Sequence, residues 1–442
     1  MDNVLIIGGG LAGLSAGVAL AGAGRRVRLV EQAPHLGGRA RSFLHAPTRD
    51  VVDNGQHILM ACYHSTWRFL REIGSLDRIA IQPRLKIHFV EPPGRVTVLN
   101  CPALPAPWHV MGGVLRSNAF SWSEKREIAR LGRAVRNGPN DEELGTLRVE
   151  EWLSKLGQSE RVKRHFWDLL SIAALNEDPR RASAAVFARV LRLALFTSAS
   201  DSCLALPRAG LSDCYTGAAK SYIESRGGSV EFGRRVANLE LRDGDCRGAR
   251  FVDGGSAEAD MVISAVPWHE FVRIIPAALL RSEPYFTNIL SLQPAPIISI
   301  NLWFDRAITD LEFAGLRGTT IQWIFNRSKV TGSPGHAYSL VLSGAHKHIQ
   351  TSKDRLLEIA LHDLEQLFPA TRDARLLHSL IIKERFATFS PGVGIDAVRP
   401  AAKSPIRGLY LAGDWTATGL PATIEGAVAS GYVAAEHVIR DA

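Results

Sequence analysis

The sequence predicts an α/β fold with a parallel sheet, and segments at the two ends of the chain carry that prediction. Near the N-terminus an apolar run leads through a turn containing Gly8, Gly10 and Gly13 into a helix of small residues. Near the C-terminus another apolar run leads through Gly413 and Asp414 towards a second helix. A strand that passes through a glycine turn into a helix is the unit of a Rossmann-type sheet. We therefore expect both ends to join one dinucleotide-binding domain.

Each glycine of the first turn has a different structural role in such a domain. Gly8 permits the tight turn, Gly10 lets the backbone approach a pyrophosphate, and Gly13 lets the helix pack closely against the strand. Leu11 and Ala12 lie at the helix start, where free N–H groups and the helix dipole favour a bound phosphate. A glycine-rich turn that binds no ligand is the alternative interpretation.

The next segment favours FAD over a nicotinamide cofactor. A second apolar strand ends at Glu31 and Gln32, close to the spacing of about 20 residues at which a carboxylate binds a ribose hydroxyl. Gly38 and Arg39 follow. A guanidinium here would cross the same diphosphate as a second, charge-assisted clamp, for which a nicotinamide dehydrogenase has no obvious need. The alternative is a Gly-Gly turn with solvated arginines.

The C-terminal turn adds polar contacts for the same ligand. Asp414, next to Gly413, is placed to accept hydrogen bonds from ribityl or phosphate-side hydroxyls. The helix that begins near Thr423 and Ile424 would direct its N-terminus at the pyrimidine end of a flavin, where negative charge develops on reduction. Apolar residues recur on one face of this helix, and we expect that face to pack on the sheet. An ordinary core helix would not account for the polar turn before it.

Together these segments resemble the flavin amine oxidase and phytoene desaturase superfamily, in which segments from both ends of the chain bind FAD. The resemblance extends to the middle of the chain and places Val236 at a backbone contact with the adenine. It also places the turn that contains Gly55 and Gln56 at the isoalloxazine. The resemblance therefore implies non-covalently bound FAD as the cofactor.

Within this superfamily one subgroup fits best. Residues 53–59, 175–184 and 413–426 resemble the squalene-associated FAD-dependent desaturases, also called hydroxysqualene dehydroxylases of hopanoid biosynthesis. Carotenoid desaturases differ in having a Gly-Pro step where this chain has Asn-Gly-Gln-His after Asp53. The resemblance implies an enzyme of squalene and hopanoid biosynthesis that acts on an isoprenoid lipid.

The implied reaction is the reduction of hydroxysqualene to squalene. Reduced FAD would supply hydride while an acid protonates the departing hydroxyl. His57 is the first candidate for this acid because histidine titrates near neutral pH, and Glu425 is the second, provided that burial keeps it protonated. A structural hydrogen bond is the alternative role for His57. The electron donor stays unidentified, since the sequence has neither a second GxGxxG turn nor a pattern of iron–sulfur cysteines.

Three other classes of protein stay open at this point. A carotenoid or isoprenoid desaturase would run the flavin in the opposite direction, from oxidised to reduced. An amine or protoporphyrinogen oxidase would release peroxide during turnover. A lipid carrier would bind FAD without exchanging electrons with any lipid.

The order of the segments predicts two interleaved domains. The FAD-binding domain is expected from residues 1–75, 200–270 and 390–442. An α+β substrate domain of the amine-oxidase type is expected from residues 76–199 and 271–389. Its first part is predicted to be mostly helical, including 149–156 and 161–174. Its second part combines apolar strands with a helix over 353–367, which predicts an antiparallel sheet over the flavin.

Composition indicates how large a core the protein can bury and which cellular compartment we expect for it. The chain has 442 residues, of which 46% are hydrophobic, so it can bury a large core. Its five cysteines form no CxxC pair, and their odd number argues against a disulfide framework, so we expect a reducing cytoplasm. The first strand begins at once, so we expect no signal peptide. We expect no metal site, and interpret His346 and His348 as part of a solvated loop.

The net charge of +8 does not indicate a nucleic-acid partner, because the basic residues are not gathered into one run. Two stretches without carboxylates are more informative: 92–123, which contains Trp108 and Trp122, and 179–200. Basic, apolar segments of this kind bind an enzyme to an anionic bilayer without crossing it. We therefore expect peripheral association with the inner face of the cytoplasmic membrane. The alternative is that both are core helices whose arginines reach outward.

Overall fold

A five-stranded parallel sheet forms one half of the protein. The computed structural model describes residues 3–138 and 141–441. The strands of this sheet lie in the order Ser229–Glu231, Arg26–Val30, Asn3–Ile7, Met261–Ser264 and Leu409–Leu411, and every pairing is parallel. The central strand is almost fully buried, as expected for a parallel sheet covered by helices on both faces. The predicted α/β fold with a Rossmann-type sheet is confirmed.

A seven-stranded sheet forms the second half. Its strands lie in the order Leu376–Phe389, Pro294–Phe304, His336–Leu342, Trp323–Asn326, Phe313–Leu316, Lys86–Glu91 and Arg95–Asn100. All neighbours are antiparallel except Phe313–Leu316, which runs parallel to Lys86–Glu91. The antiparallel sheet predicted from the strands of the second insert is therefore confirmed, and the one parallel pairing joins it to a strand of the first insert. A hairpin from the mostly helical first insert completes the sheet, and the helical interpretation overlooked its alternating apolar residues.

Three small sheets and a set of helices surround these two. The small sheets comprise Ser42–His45 with Asp50–Asp53, then Leu59–Met60 with Leu204–Pro207 and Ile79–Ile81, and finally Val236–Arg242 with Asp245–Phe251 and Ser256–Glu258. The α-helices are Leu11–Gly22, His64–Glu72, Trp108–Arg116, Trp122–Arg136, Asp141–Gly145, Val149–Lys155, Glu160–Val162, Asp168–Leu175, Ala184–Leu191, Leu211–Glu224, Trp268–Ile274, Ala277–Ser282, Pro284–Thr287, Arg327–Thr331, Lys353–Leu367, Ile395–Val398 and Ile424–Asp441. Short 3-10 turns span Leu76–Arg78, Asn288–Ser291 and Pro369–Asp373, and π-helical turns span Lys163–Trp167 and Arg192–Phe196.

The helices at the two ends of the chain pack directly against each other. A Cβ at Gly431 would lie 2.1 Å from Ser15 Oγ, so the backbones approach as closely as a glycine allows. The Ser15 hydroxyl also donates to the Val428 carbonyl at 3.1 Å. We expected the apolar face of the C-terminal helix to pack on the sheet, whereas much of it packs on the helix Leu11–Gly22. This contact holds the two helix starts side by side.

The strands of the parallel sheet all come from the segments predicted to bind FAD, and those of the seven-stranded sheet all come from the two inserts. The division into two domains with the stated boundaries stays a prediction. Of the predicted helices, 353–367 is found at Lys353–Leu367 and 149–156 at Val149–Lys155. The predicted helix 161–174 is interrupted by the π-helical turn Lys163–Trp167.

The two carboxylate-free stretches differ in their exposure. In 179–200 the helix Ala184–Leu191 buries Val186 and Phe187, so this stretch is largely core. In 92–123, by contrast, Trp108 is 54% exposed and Trp122 is 68% exposed. Among the described helices, none is both long enough and apolar enough to cross a bilayer.

Candidate active site

A cavity of about 1230 Å³ begins at the glycine turn and reaches the helices of the first insert. This volume exceeds the range of about 300–1,000 Å³ in which most ligand pockets fall, so more than one ligand can fit. Seventeen of the eighteen residues that the sequence proposed for the site line it: Gly8, Gly10, Leu11, Ala12, Glu31, Gln32, Gly38, Arg39, Gly55, Gln56, His57, Val236, Gly413, Asp414, Thr423, Ile424 and Glu425. The remaining residue, Gly13, does not line the cavity, because it packs against the Gly8 carbonyl behind the glycine turn.

The glycine turn has the geometry of an anion cradle. Gly8 has a φ of +109°, which favours glycine, and its N–H donates to the Val30 carbonyl at 2.9 Å. A Cβ on Gly13 would lie 1.9 Å from the Gly8 carbonyl oxygen, whereas one on Gly10 would meet nothing within 4 Å. Among the described side chains, none caps the helix that starts at Leu11. The free N–H groups at this helix start therefore suit a bound diphosphate.

Glu31 is fixed next to this turn and is 8% exposed. Its carboxylate accepts hydrogen bonds from the Gly9 N–H at 2.7 Å and from the Ala33 N–H at 2.8 Å. Each carboxylate oxygen can accept a second bond, so the group can still receive a ribose hydroxyl. Gln32 lines the same part of the cavity.

Arg39 and Asp414 come from opposite ends of the chain and form an ion pair. Arg39 Nη2 lies 2.6 Å from Asp414 Oδ1, and Arg39 Nη1 donates to the Ala387 carbonyl at 2.8 Å. The Asp414 side chain is buried, while that of Arg39 is partly exposed. A guanidinium carries five N–H donors, so Arg39 can hold Asp414 and a diphosphate together.

Gly413 determines the conformation of the C-terminal turn, and Thr423 caps the helix that follows the turn. Gly413 has a φ of +146°, and a Cβ there would lie 2.4 Å from Trp415 Nε1. The Gly413 N–H donates to Ser430 Oγ at 2.7 Å, which ties the turn to the C-terminal helix. Thr423 Oγ1 accepts from the Gly426 N–H at 3.0 Å and begins that helix. The helix start consequently faces the cavity beside Ile424.

His57 and Gln56 place unpartnered polar atoms at the cavity wall. Gln56 Nε2 and His57 Nδ1 are buried and have no hydrogen-bond partner among the described residues. Burial lowers the pKa of His57 from its ordinary value of 6.5, although the Asp53 carboxylate opposes this shift. A lowered pKa keeps the His57 ring neutral at pH 7, and a neutral imidazole can donate or accept a hydrogen bond. Buried polar atoms without partners cost about 1–3 kcal/mol each, so these two suit a bound ligand.

Glu425, the second candidate for the acid, lines the cavity and holds the start of a neighbouring helix. Its carboxylate accepts from the Ser65 and Thr66 N–H groups, both at 2.9 Å, and from Thr66 Oγ1 at 2.7 Å. These donors surround the start of the helix His64–Glu72, where the helix dipole also favours negative charge. With these three hydrogen bonds Glu425 caps the helix His64–Glu72, and its role as an acid stays a prediction.

Beyond His57 the cavity becomes apolar. The seven-stranded sheet contributes side chains from one side, and helices of the first insert contribute from the other. The main apolar lining residues are Leu85, Ile87, Leu99, Val110, Phe166, Leu170, Ala174, Phe187, Val190, Leu191, Leu195, Ile297, Trp323, Phe325 and Val341. The arrangement joins a polar cradle to an apolar tunnel, and His57 and Gln56 stand where the two meet.

Arg399 supports the Asp414 loop of this site from outside the cavity, and sequence reasoning missed it. Its Nη1 donates to the Leu420 carbonyl at 2.8 Å, and its Nη2 donates to the Asp414 carbonyl and to Thr418 Oγ1, both at 3.0 Å. The side chain is 1% exposed, and its guanidinium lies over the Phe389 ring at 4.8 Å. Arg399 therefore fixes the loop that carries Asp414. No local pattern in the sequence marks this arginine.

Two further histidines, one in the cavity wall and one outside it, have surroundings that the sequence did not suggest. His269 lines the cofactor end of the cavity, and the centroid of its ring lies 4.3 Å from that of Phe386, on which it stacks. Its buried Nδ1 has no hydrogen-bond partner among the described residues. His346, interpreted as part of a solvated loop, instead lies 2.9 Å from an oxygen of the fully buried Glu177. That correction follows from the fold, because a buried carboxylate needs a polar partner.

Comparisons with known proteins agree with this geometry. The chain is 29% identical to a hydroxysqualene dehydroxylase of Rhodopseudomonas palustris, over 99% of this chain and 98% of that protein. It is 28% identical to a 15-cis-phytoene desaturase of Synechococcus elongatus, over 99% and 96% of the two chains.

Solved structures show the same fold at lower identity. An oxidoreductase from Methanosarcina mazei aligns with a TM-score of 0.77 and 18% identity, over 99% of this chain and all of that one. A triple mutant of a putrescine oxidase aligns with a TM-score of 0.75 and 15% identity, over 100% and 99% of the two chains. The model of the flavin containing amine oxidoreductase family matches residues 11–439. The chain thus belongs to this family of oxidoreductases, and FAD is its cofactor.

Proposed function

We propose that this enzyme is a hydroxysqualene dehydroxylase, which replaces the hydroxyl group of hydroxysqualene by hydrogen and so forms squalene. The observation that carries the proposal is the continuous cavity, in which a cofactor cradle opens into an apolar tunnel past the unpartnered His57. A polar group at that junction suits a lipid that bears oxygen at the reacting carbon. The full-length similarity to a hydroxysqualene dehydroxylase supports the same assignment.

The apolar tunnel binds the hydrocarbon without an ionic anchor. Burial contributes about 0.8 kcal/mol for each CH₂ group, so a chain of about thirty carbons supplies ample binding energy. Side chains such as Phe166, Leu170 and Val190 also keep water away from the reacting carbon. A dry site prevents competing hydrolysis and strengthens each hydrogen bond made within it.

The chemistry replaces a C–O bond by a C–H bond. Reduced FAD, when bound, supplies the hydride equivalent, and an external two-electron donor must reduce the cofactor again after each turnover. The hydroxyl leaves with the electron pair of the C–O bond and takes up a proton to become water. Reduced FAD would carry this proton as well as the hydride equivalent, so the exchange balances. His57 donates a hydrogen bond to this oxygen as negative charge develops on it. Arg399, through the Asp414 loop, keeps the cofactor end of the site in position.

The direct test is anaerobic incubation of photoreduced, FAD-loaded protein with hydroxysqualene, followed by mass spectrometry of the lipids. We expect squalene, with one flavin oxidised for each molecule formed. Replacing His57 by Ala should slow this step by about 10²-fold or more without changing FAD content. The proposal fails if no squalene forms. If oxidised enzyme instead dehydrogenates a polyene precursor, the protein is a desaturase like its phytoene desaturase relatives.

We propose in addition that the enzyme takes its lipid from the anionic inner surface of the cytoplasmic membrane. Trp108, Trp122 and Leu115 are exposed apolar side chains on two neighbouring helices, and we call these three residues the patch. Cationic side chains accompany both rings: the guanidinium of Arg136 lies 5.7 Å from Trp108, and Lys125 Nζ lies 4.9 Å from Trp122. Aromatic rings with nearby cations are typical of proteins that bind anionic bilayers.

The position of this patch relates it to the substrate tunnel. Val110 lies on the same helix as Trp108 and lines the apolar end of the cavity. Leu193 also lines that end and is 42% exposed. A lipid leaving the bilayer at the patch would therefore enter the tunnel at the end remote from the glycine turn.

Flotation with liposomes of anionic phospholipid tests the membrane proposal. The double variant Trp108→Ser/Trp122→Ser should lose most of its liposome binding while retaining FAD. Leu44→Ser is a matched control, because Leu44 is 64% exposed but lies outside the patch. Unchanged flotation of the double variant would exclude this surface as the membrane contact.

A further inference from the structure

Residues 54–57 form a turn that hydrogen bonds and close packing fix between the two halves of the protein. The Asn54 N–H donates to the Arg41 carbonyl at 2.8 Å, and Asn54 Nδ2 donates to the Arg39 carbonyl at 3.3 Å. A Cβ on Gly55 would lie 3.5 Å from Ser299 Oγ, which belongs to the seven-stranded sheet. The side chains that follow Gly55 are thus presented from a fixed backbone to the junction between cradle and tunnel.

Gln56 and His57 have hydrogen-bonding capacity at this junction that the described residues do not use. Gln56 Nε2 and His57 Nδ1 are both buried and unpartnered, and both residues line the cavity. Asn176, which lines the same cavity, is by contrast bonded, since its Nδ2 donates to Thr388 Oγ1 at 2.7 Å. Buried polar atoms are rarely left unpaired in proteins, so a ligand atom is expected to meet these two.

The chemistry of the two side chains matches a hydroxyl group. The Gln56 amide nitrogen donates only, so its partner must accept a hydrogen bond. The His57 ring nitrogen donates or accepts according to its tautomer, so its partner can be of either kind. A hydroxyl oxygen accepts from the amide and pairs with either form of the imidazole. An alkene or a saturated carbon can do neither.

We propose that Gln56 and His57 form a binding site for the hydroxyl oxygen of the lipid, and that Gln56 makes the enzyme select an alcohol over the corresponding hydrocarbon. This inference rests on the proposed function and gives Gln56 a role towards the substrate. Gln56 was expected from the sequence to contact the flavin. That contact is the competing explanation for its unpartnered nitrogen, and it is distinguishable by experiment.

The test measures binding, with no need for turnover. Oxidised, FAD-loaded protein is titrated with hydroxysqualene or with squalene in the same detergent, and the change in flavin absorbance reports occupancy. We expect the wild-type protein to bind the alcohol about 10-fold more tightly than the hydrocarbon, the effect of about one hydrogen bond. Gln56→Met keeps the length of the side chain and removes its donor. This variant should bind the two lipids equally, because its affinity for the alcohol falls.

Two further variants make the outcome interpretable. Gln56→Asn retains the amide but withdraws it by one CH₂, so it should retain part of the preference even if the Met variant folds poorly. Gln293→Met is the control, because Gln293 is exposed and bonds the Ser291 carbonyl of its own turn. The dissociation constant of FAD is measured for every variant. A loss of FAD affinity with an unchanged lipid preference would assign Gln56 to the flavin and overturn the inference.

The remaining outcomes separate this inference from the proposed function. If the wild-type protein binds neither lipid, the proposed function itself fails and the inference falls with it. If the wild-type protein binds both lipids equally, or if Gln56→Met retains the preference for the alcohol, the assignment of Gln56 is wrong while the proposed function stands.

Discussion

The two ends of the cavity bind by different physical means. At the cofactor end, the groups available to a ligand are backbone N–H groups and a few fixed charges, such as Glu31 and the Arg39–Asp414 pair. At the tunnel end, the lining is made of apolar side chains from helices and strands of both inserts. The first kind of site depends on the exact path of the backbone, while the second depends mainly on the volume and shape of the space.

This difference predicts how each end responds to substitution. A single methyl group should disable the cofactor end wherever two backbone segments touch. At the tunnel end, apolar side chains of similar volume should be exchangeable, and only a change in volume should matter. The following variants test that contrast, from the largest expected effect to the smallest.

Gly13→Ala should have the largest effect. The added Cβ would lie 1.9 Å from the Gly8 carbonyl oxygen, and neither backbone segment can move without opening the turn. Overpacking of this kind costs about 1–3 kcal/mol or more, so we expect lower stability and loss of FAD. The measurements are the ratio of FAD to protein and the urea midpoint of unfolding. Gly217→Ala is the control, because that helical glycine meets nothing within 4 Å. Full FAD occupancy in Gly13→Ala would contradict the expected geometry.

Arg399→Met should have the next largest effect. The variant leaves the Asp414 and Leu420 carbonyls without their guanidinium donor, at a cost of about 1–3 kcal/mol for each group that stays unpaired. We expect FAD to bind about 10-fold more weakly, as measured by equilibrium dialysis, because the loop around Asp414 loosens. Arg407→Met is a control, since the side chain of Arg407 is 85% exposed. FAD affinity within twofold of the wild-type value would show that Arg399 does not position the loop.

Ala174→Phe tests the tunnel end by adding volume. Ala174 lies on the helix Asp168–Leu175 and lines the apolar part of the cavity. A phenyl ring there should displace about three CH₂ groups of a bound lipid, which corresponds to about 2 kcal/mol or ~30-fold weaker binding. FAD content should not change. Ala278→Phe, on the exposed surface of another helix, serves as the control. Equal loss of FAD and lipid in Ala174→Phe would mean that the two ends are not independent.

His57→Gln should have the smallest effect, on the pH dependence of stability. Because burial lowers the pKa of His57, the unfolded chain binds more protons at this residue than the folded protein does as pH falls below 6.5. The wild-type protein should therefore lose stability in that range, with a slope of at most about 1.4 kcal/mol per pH unit from this one group. Urea unfolding between pH 5 and 8 should show a shallower decline for the variant. Parallel curves would mean that His57 is not held neutral by burial.

Sequence reasoning succeeded where the information is local. The glycine turn, Glu31 and the Gly413–Asp414 turn each lie within a few residues of a strand end. The requirement for glycine at such a turn arises from φ angles and from close approaches within that segment. The cofactor and the Rossmann-type sheet could therefore be predicted before any tertiary contact was known. The same reasoning could not show that Ser65 and Thr66 donate to Glu425, because these residues are distant from it in the chain.

The sequence by itself determined a flavin-binding α/β fold and most of the residues that surround the cofactor end of the cavity. Tertiary structure alone decided that Glu425 caps a helix, that Arg399 holds the Asp414 loop, and that the hairpin Lys86–Glu91/Arg95–Asn100 completes the seven-stranded sheet. It also decided that apolar residues of both inserts form one tunnel. These features join groups that are distant in the chain, and their energies depend on burial and on partners that no local spacing encodes.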